Sequence, residues 1–267
     1  MLRVMTWNIR TGGRDHDGPG RLDRVVRVVT GQRPDVLAVQ ELRGFDDGGV
    51  LADFAGRVGM RPHLARSCFG QPVAVLVRPP WRAVAAAPLR RPFHHAAQRV
   101  VLASDAGPAT VLSAHLDPYS GLRRRVEAGW LAAAVRRASG ELALLAGDLN
   151  TLDPGGEHAE RVARLPVAYR RRHLRRDGRT VETRAVARLL AAGLVDLGAR
   201  PGAAEEGVTA PTRHGGGAEF SGMRLDYLFA TSPLAARVRD CRVLRGGETE
   251  YASDHYPVVA EFALDPA

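Results

Sequence analysis

Several apolar runs end on a side chain that can bind a cation or carry a proton. Val4-Met5-Thr6-Trp7 leads to Asn8, Val36-Leu37-Ala38-Val39 to Gln40-Glu41, and Val111-Leu112-Ser113-Ala114 to His115. The run at 142–147 leads to Asp148 and Asn150, Asp226 lies within an apolar stretch, and Ser253-Asp254-His255 stands just before Tyr256-Pro257-Val258-Val259. A buried aspartate is costly unless paired, and histidine is its natural partner, so Asp226 and His255 read as an acid–imidazole pair. Glu41, Asp148 and Asp254, with the amides of Asn8 and Asn150, form an oxygen donor set that suits Mg2+ or Mn2+ better than zinc. A metal near Glu41 would polarise a phosphoryl oxygen while Asp148 activates a water that Asn150 aligns. Alone, Asn8 would more often be a strand-ending turn residue and Glu41 a solvent-facing carboxylate. Their joint occurrence with Gly-Asp-Leu-Asn and Ser-Asp-His carries the reading.

These groups converge only if the strands that carry them end at one edge. Apolar runs of strand length occur at 2–9, 36–40, 73–77, 100–103, 110–116, 142–147, 225–230, 238–244 and 258–264, many bounded by Gly, Pro or Asp. Asp148 and Asn150 are two apart, which on an extended chain puts both side chains on one face. Helical spacing joins Leu22, Val25, Val26 and Val29 before Gly31, and Leu51, Phe54, Ala55 and Val58 before Gly59. It also joins Leu122, Val126, Trp130, Ala133 and Val135 before Gly140, and a fourth helix is expected at 183–192, closed by Gly193. Many short strands with a few interposed helices predict an α/β or α+β sandwich, its sheets packed face to face and covered outside by helices. No fixed-period repeat or low-complexity linker divides the chain. One domain over 1–267 is expected, with an irregular Arg-rich insertion at about 151–182.

The pieces Thr6-Trp7-Asn8, Gln40-Glu41, Ser113-Ala114-His115-Leu116-Asp117, Gly147-Asp148-Leu149-Asn150, Arg224-Leu225-Asp226-Tyr227 and Ser253-Asp254-His255 stand in an order that resembles the endonuclease/exonuclease/phosphatase superfamily, also called deoxyribonuclease I-like. The resemblance covers residues 6 to 255. It implies a four-layered α/β sandwich, two packed mixed β-sheets flanked by helices, and Mg2+-dependent cleavage of phosphate esters by an activated water. It implies that Glu41 holds the metal, helped by Asn8 and Asp254, and that Asp148 is the general base with Asn150 as its positioner. It further implies that His255, oriented by Asp226, binds the scissile phosphate and stabilises transition-state charge. His115 matches a position where many members place a histidine to contact the phosphate or protonate the leaving oxygen. His115-Leu116-Asp117 and the helix after it are closer to the phosphatase and lipase-like branches than to the abasic-site endonucleases. The implied function is hydrolysis of a phosphodiester or phosphomonoester, by one metal or two. The substrate is left open between nucleic acid, inositol phosphates, sphingomyelin and other small phosphorylated compounds. A same-fold enzyme repurposed in biosynthesis is one alternative. A catalytically silent phosphate-binding module is another, and the intact Glu41, Asp148, Asn150, Asp226 and His255 speak against it.

The chain has 267 residues, and its formal charge of +9 comes entirely from arginine, since it contains no lysine. A codon bias toward G and C accounts for most of this, as the alanine runs indicate, yet a basic surface still favours anionic partners. Six of the eleven residues at 169–179 are arginine, with Tyr169 and His173 interleaved. That mixture could stack on bases, clamp phosphates and act as a lid near the reaction centre; the competing reading is a solvated surface. Arg170 and Arg172, with Arg99 and Tyr119, are the expected substrate contacts, and nucleic acid is the macromolecular partner that charge favours. Arg123-Arg124-Arg125 reads as the solvated face of its helix. His94-His95 reads as a surface doublet, Asp117 as a partner of the helix N-terminus at Ser120 or Gly121, and Asp15-His16-Asp17-Gly18 as a Gly-rich loop rather than a calcium site. Cys68 and Cys241 make neither a disulfide framework nor a thiolate zinc pair. No apolar run reaches the roughly 18 residues of a membrane span, and the N-terminal run shows no apolar signal region. A cytoplasmic monomer is therefore expected.

Overall fold

Apolar runs such as Val36–Gln40 and Val73–Val77 lack the polar alternation of a half-solvated strand, a pattern that suits burial on both faces. Every residue of both is buried. The structure, a computed structural model, describes residues 1–14, 20–47, 49–199 and 205–267. The Asp15-His16-Asp17-Gly18 segment lies outside the described residues.

In chain order the strands are β1 (Leu2–Asn8), β2 (Val36–Gln40), β3 (Arg61–Ala65), β4 (Val73–Val77), β5 (Ala83–Pro88), β6 (Ala96–Leu102), β7 (Ala109–His115), β8 (Leu142–Asp148), β9 (Val195–Asp196), β10 (Asp226–Ala230), β11 (Val238–Val243) and β12 (Val258–Phe262). The helices are α1 (Gly20–Gln32), α2 (Gly49–Val58), α3 (Gly121–Arg136), α4 (Ala159–Arg164), α5 (Val167–Arg170), α6 (Arg184–Ala191), α7 (Ser232–Ala235) and α8 (Thr249–Ala252). The strands form two six-stranded sheets, ordered β11-β12-β1-β2-β4-β3 and β5-β6-β7-β8-β10-β9. Each is mixed: β1/β2 and β7/β8 are parallel, joined through α1 and α3, and the other pairs are antiparallel. Between the sheets lies one core, in which Val4, Val36 and Val75 meet Val100, Val111 and Leu144. The outer face of the first sheet packs on α1 and α2, and that of the second on α3 and α6. This is the four-layered α/β sandwich of deoxyribonuclease I-like proteins. Among the described residues no helix is long and apolar enough to cross a membrane.

Register delivers the polar strand ends to one edge. In the second sheet His115 lies opposite Asp148, and Asp148 opposite Asp226, so three strands present these residues in one row. In the first sheet Asn8 ends β1 opposite Gln40 at the end of β2. β8 can sit this close to β7 only because residue 147 is glycine. Gly147 has φ 146°, and a Cβ there would lie 1.9 Å from the Ala114 carbonyl oxygen.

The nine expected strands are present, and the structure adds β3, β5 and β9. All three are edge strands without an apolar pattern: β3 carries Arg61 and His63, β5 is a largely exposed alanine-rich run, and β9 is two residues long. The strand expected from residue 100 begins at Ala96, since small alanines extend the pairing to His115.

The α3 face departs from expectation. Leu122 and Val126 are exposed, whereas Arg124 and Glu127 are fully buried. The N-terminal half of α3 rests on polar loops rather than on the sheet. Glu127 accepts the His94 and Asp117 backbone N–H groups at 2.6 and 2.9 Å, and Arg124 donates to the Asp117 and Arg172 carbonyls. The solvated-face reading therefore fails for Arg124. The insertion is also more ordered than an excursion: Leu152, Val162 and Leu165 pack with Ala210, Met223 and Leu225 beneath it. His173 faces into it and is buried, so its ring cannot stack on bases.

Gly147→Ala should cost about 1–3 kcal/mol, as overpacking does in a dense core. Urea unfolding measures this, and an unchanged midpoint would contradict the close approach of β7 and β8. The His173 imidazole is pushed down to about 3 by burial, then by the charges of Arg124 and Arg172. Unfolded histidine takes up a proton near pH 6.5, so between about 6.5 and 3 the unfolded chain binds more protons at this site and its contribution to stability falls as pH falls. His173→Gln should therefore lose less stability than the parent when urea midpoints are compared across that window; equal losses would contradict the buried neutral ring.

Candidate active site

A cavity of about 550 Å3 opens where the polar strand ends meet, lined by Glu41, His115, Asp148, Asn150, Asp254 and His255. Asn8 stands behind it, at the end of β1. Its Nδ2 donates at 3.0 Å to Glu41 Oε1 and at 3.0 Å to Asp148 Oδ2, joining a carboxylate from each sheet. Its Oδ1 accepts the Arg10 N–H at 2.9 Å. The second Glu41 oxygen accepts from the Thr11 N–H at 2.9 Å and from Gln71 Nε2 at 3.3 Å. Asp148 Oδ1 accepts the Asn150 N–H at 2.8 Å, and Asn150 Nδ2 donates to the Leu116 carbonyl at 3.1 Å.

His255 is held from behind. Its Nδ1 is 2.7 Å from Asp226 Oδ2, its carbonyl accepts from Trp7 Nε1 at 2.8 Å, and the Phe220 ring meets it edge-on at 5.0 Å. Its Nε2 lies 3.9 Å from Asp148 Oδ2, and His115 Nε2 lies 3.5 Å from the same oxygen. Among the described residues Asp148, Asp226 and His255 place ligand atoms within 4.8 Å of one another, close enough to hold a metal ion.

Burial dominates the electrostatics. It pushes the Asp148 carboxyl well above the carboxylate range; His255 opposes this, Asp226 adds to it, and the bonds from Asn150 and Asn8 pull back. Burial alone would strip His255 of its proton. The charges of Asp226 and Asp148, and the bond to Asp226, outweigh it and hold the imidazolium well above its ordinary range. His115 goes the other way: burial, then the charges of His255 and His94, push it down to about 3. Asp254 is raised by burial first, with the charges of Glu41 and Glu219 adding and those of His255 and Arg10 opposing.

The backbone is strained here too. Arg10, Thr11, Glu41 and Asn150 all have positive φ, between 47° and 60°, and all line the cavity. Such conformations cost about 1–3 kcal/mol each and persist where the surroundings over-determine them. The Glu41 carboxylate supplies one such constraint by accepting the Thr11 N–H.

Of the expected substrate contacts, Tyr119 and Arg172 line the cavity. The Arg172 guanidinium lies 5.2 Å from the Tyr119 ring centre and 4.7 Å from that of Tyr169. Arg99 and Arg170 stand outside it. Arg99 sits in the middle of β6, paired with Ala87 and Leu112, and Arg170 spends its guanidinium on the Leu165 and Ala163 carbonyls. His94 and His95 are not a surface doublet, because the Glu127 carboxylate draws their loop inward. Both line the cavity, with His95 stacked on His115 at 4.2 Å between ring centres. Asp117 reaches Ser120 as expected, accepting the Tyr119 and Ser120 N–H groups at 2.7 Å, but the cap of α3 is the Ser120 side chain, which accepts the Arg123 N–H; Asp117 also pairs with His94 Nδ1 at 3.0 Å. Sequence reasoning missed His95, Gln71 and Glu219 as cavity residues. The His doublet beside a strand start was the only signal for any of them.

The model of the Endonuclease/Exonuclease/phosphatase family matches residues 5–255. No curated protein matches the chain. Among solved structures, an AP endonuclease from Archaeoglobus fulgidus is similar with a TM-score of 0.73 at 21% identity, covering 98% of this chain and 100% of that one. Truncated TDP2 from Caenorhabditis elegans gives 0.64 at 18% identity, covering 100% and 97%. ANGEL2, described as a 2',3'-cyclic phosphatase in complex with adenosine-2',3'-vanadate, gives 0.68 at 15% identity, covering 97% and 94%. These likenesses show the fold, and the family match over nearly the whole chain shows that it belongs to the endonuclease/exonuclease/phosphatase family.

Proposed function

We propose that this family member is a divalent-metal-dependent phosphoesterase in which Asp148 takes a proton from the attacking water. The observation that carries the reading is one cavity that gathers Glu41, Asp148 and Asp254 beside two histidines driven to opposite charge states. Groups whose environments push their pKa values apart mark a division of acid–base roles.

The donor set fits a hard cation. Glu41 and Asp254 would hold Mg2+ or Mn2+ through carboxylate oxygens, and the Arg10 guanidinium, 3.6 Å from Asp254 Oδ2, would give way to the ion there. A cation held there would supply Lewis-acid polarisation of a phosphoryl oxygen. Asn8 offers its amide nitrogen to both carboxylates, so in this arrangement it spaces Glu41 from Asp148; as a metal ligand its amide would have to turn. The Asp148–Asp226–His255 cluster suits proton handling better than a metal, because His255 Nδ1 is already committed to Asp226.

Asp148, made basic by burial, accepts the water proton, and the Asn150 N–H bond fixes its orientation. His255 presents Nε2 to the cavity as a charged donor, placed to stabilise a phosphoryl oxygen as negative charge builds. His115 is neutral, so it serves as a hydrogen-bond donor rather than as a charged acid. The AP endonuclease and the 2',3'-cyclic phosphatase among the similar structures act, by their names, on phosphoesters, which supports the reaction class.

Turnover of bis-(p-nitrophenyl) phosphate and p-nitrophenyl phosphate should require Mg2+ or Mn2+ and stop with EDTA. Asp148→Asn should lower kcat by at least about 100-fold, the usual weight of a general base. Equal activity in that variant would sink the mechanism. His115→Gln should keep both limbs of the pH–rate profile, since a neutral donor does not titrate in the working range; loss of the alkaline limb would show that His115 acts as a charged acid.

A further inference from the structure

A second cavity, of about 780 Å3, adjoins the catalytic one, and Tyr119 lines both. Arg171, Arg175 and Arg176 of the insertion form its basic wall, with Arg184 at the start of α6. Arg184 is committed to Glu182. Arg171, Arg175 and Arg176 are exposed, and among the described residues their guanidinium groups make no hydrogen bond or ion pair. The Asp177 carboxylate beside them stays charged and acts on Arg175 without ion-pair contact, its oxygens accepting from the Arg179 and Thr180 N–H groups and the Thr180 hydroxyl, so one acid faces three arginines and the excess is positive. Tyr119 stands between the two cavities with 61% of its surface exposed, backed by the Arg172 guanidinium. Across the mouth Phe69, 60% exposed, stacks on His94 at 4.4 Å.

We propose that the groove is a second phosphate subsite, which receives the backbone of a single-stranded nucleic acid whose scissile phosphate lies in the catalytic cavity, with a base stacked on Tyr119. The proposal rests on the phosphoesterase reading above and names its substrate class. Guanidinium forks match phosphate oxygens two at a time. A sequence-tolerant site for a single strand combines such a basic track with exposed aromatic faces. Three arginines without ion-pair partners among the described residues line the groove, and Tyr119 lines both it and the catalytic cavity, an exposed aromatic face for which a compact polyphosphate has no use.

The test is fluorescence anisotropy in EDTA on the Asp148→Asn protein, so that binding is read apart from turnover. The probes are a labelled dinucleotide and an oligothymidylate of about ten nucleotides, within the roughly 4–16 that such grooves span. Arg175→Ala with Arg176→Ala should weaken binding of the longer strand about tenfold and lower its log–log salt slope by about 1.4, two phosphate contacts at roughly 0.7 each. Dinucleotide binding should not change. Lysine at both positions should restore the slope, which an effect on folding would not. Equal affinity and slope in the alanine variant would overturn the proposal, as would equal weakening for both lengths. Inositol hexakisphosphate bound with the same arginine dependence, in a protein indifferent to the strand, would also overturn it. A protein that binds the strand as described yet turns over no phosphoester would keep the groove and remove the catalytic reading.

Discussion

The amide nitrogen of Asn8 holds two carboxylates that no single strand could bring together. Glu41 follows β2 in one sheet and Asp148 ends β8 in the other, and both accept from Asn8 at 3.0 Å. Two carboxylates come together in a buried place when a donor or a shared proton offsets their repulsion, and here the Asn8 amide is a donor to both. The edge where the sheets meet is thereby fixed at its chemical centre. The rest follows from register: His115 and Asp226 flank Asp148 on neighbouring strands, and Asp226 reaches His255. Gly147 lets β8 lie close enough for that row to form.

The same edge sorts its titratable groups. Burial raises Asp148, a pair of aspartates keeps His255 charged, and burial with a charged neighbour keeps His115 neutral. A base, a charged donor and a neutral donor therefore stand within 4 Å of one oxygen or on it. Glu127 and Arg124 perform the equivalent task one layer out. Deep in α3, they bond the loops that carry His94, Asp117 and Arg172, and so set one wall of the cavity.

Much of this was legible in the chain. Nine apolar runs gave nine strands, and each polar strand end at Asn8, Glu41, His115, Asp148, Asn150, Asp254 and His255 reached the site, because a strand end has one place to go once its run is buried on both faces. What the chain concealed was mostly side-chain direction. Arg124 and Glu127 break the apolar periodicity of their helix, and nothing local says that polar loops rather than water lie opposite. Arg170 and Arg172 are two apart in one arginine run, yet one bonds the backbone and the other stacks over tyrosines at the cavity. The edge strands β3, β5 and β9 are held by their neighbours rather than by their own pattern.

Where the metal sits decides the division of roles at this edge. Titration calorimetry with Mn2+ on the parent protein, Glu41→Gln and Asp226→Asn tests it most directly, without reference to turnover. The parent should bind Mn2+, Glu41→Gln should lose at least about tenfold in affinity, close to 1.4 kcal/mol, and Asp226→Asn should keep near-parental binding. Full binding by Glu41→Gln with loss in Asp226→Asn would place the ion on the Asp148–Asp226–His255 cluster and contradict the assignment of those residues to proton handling.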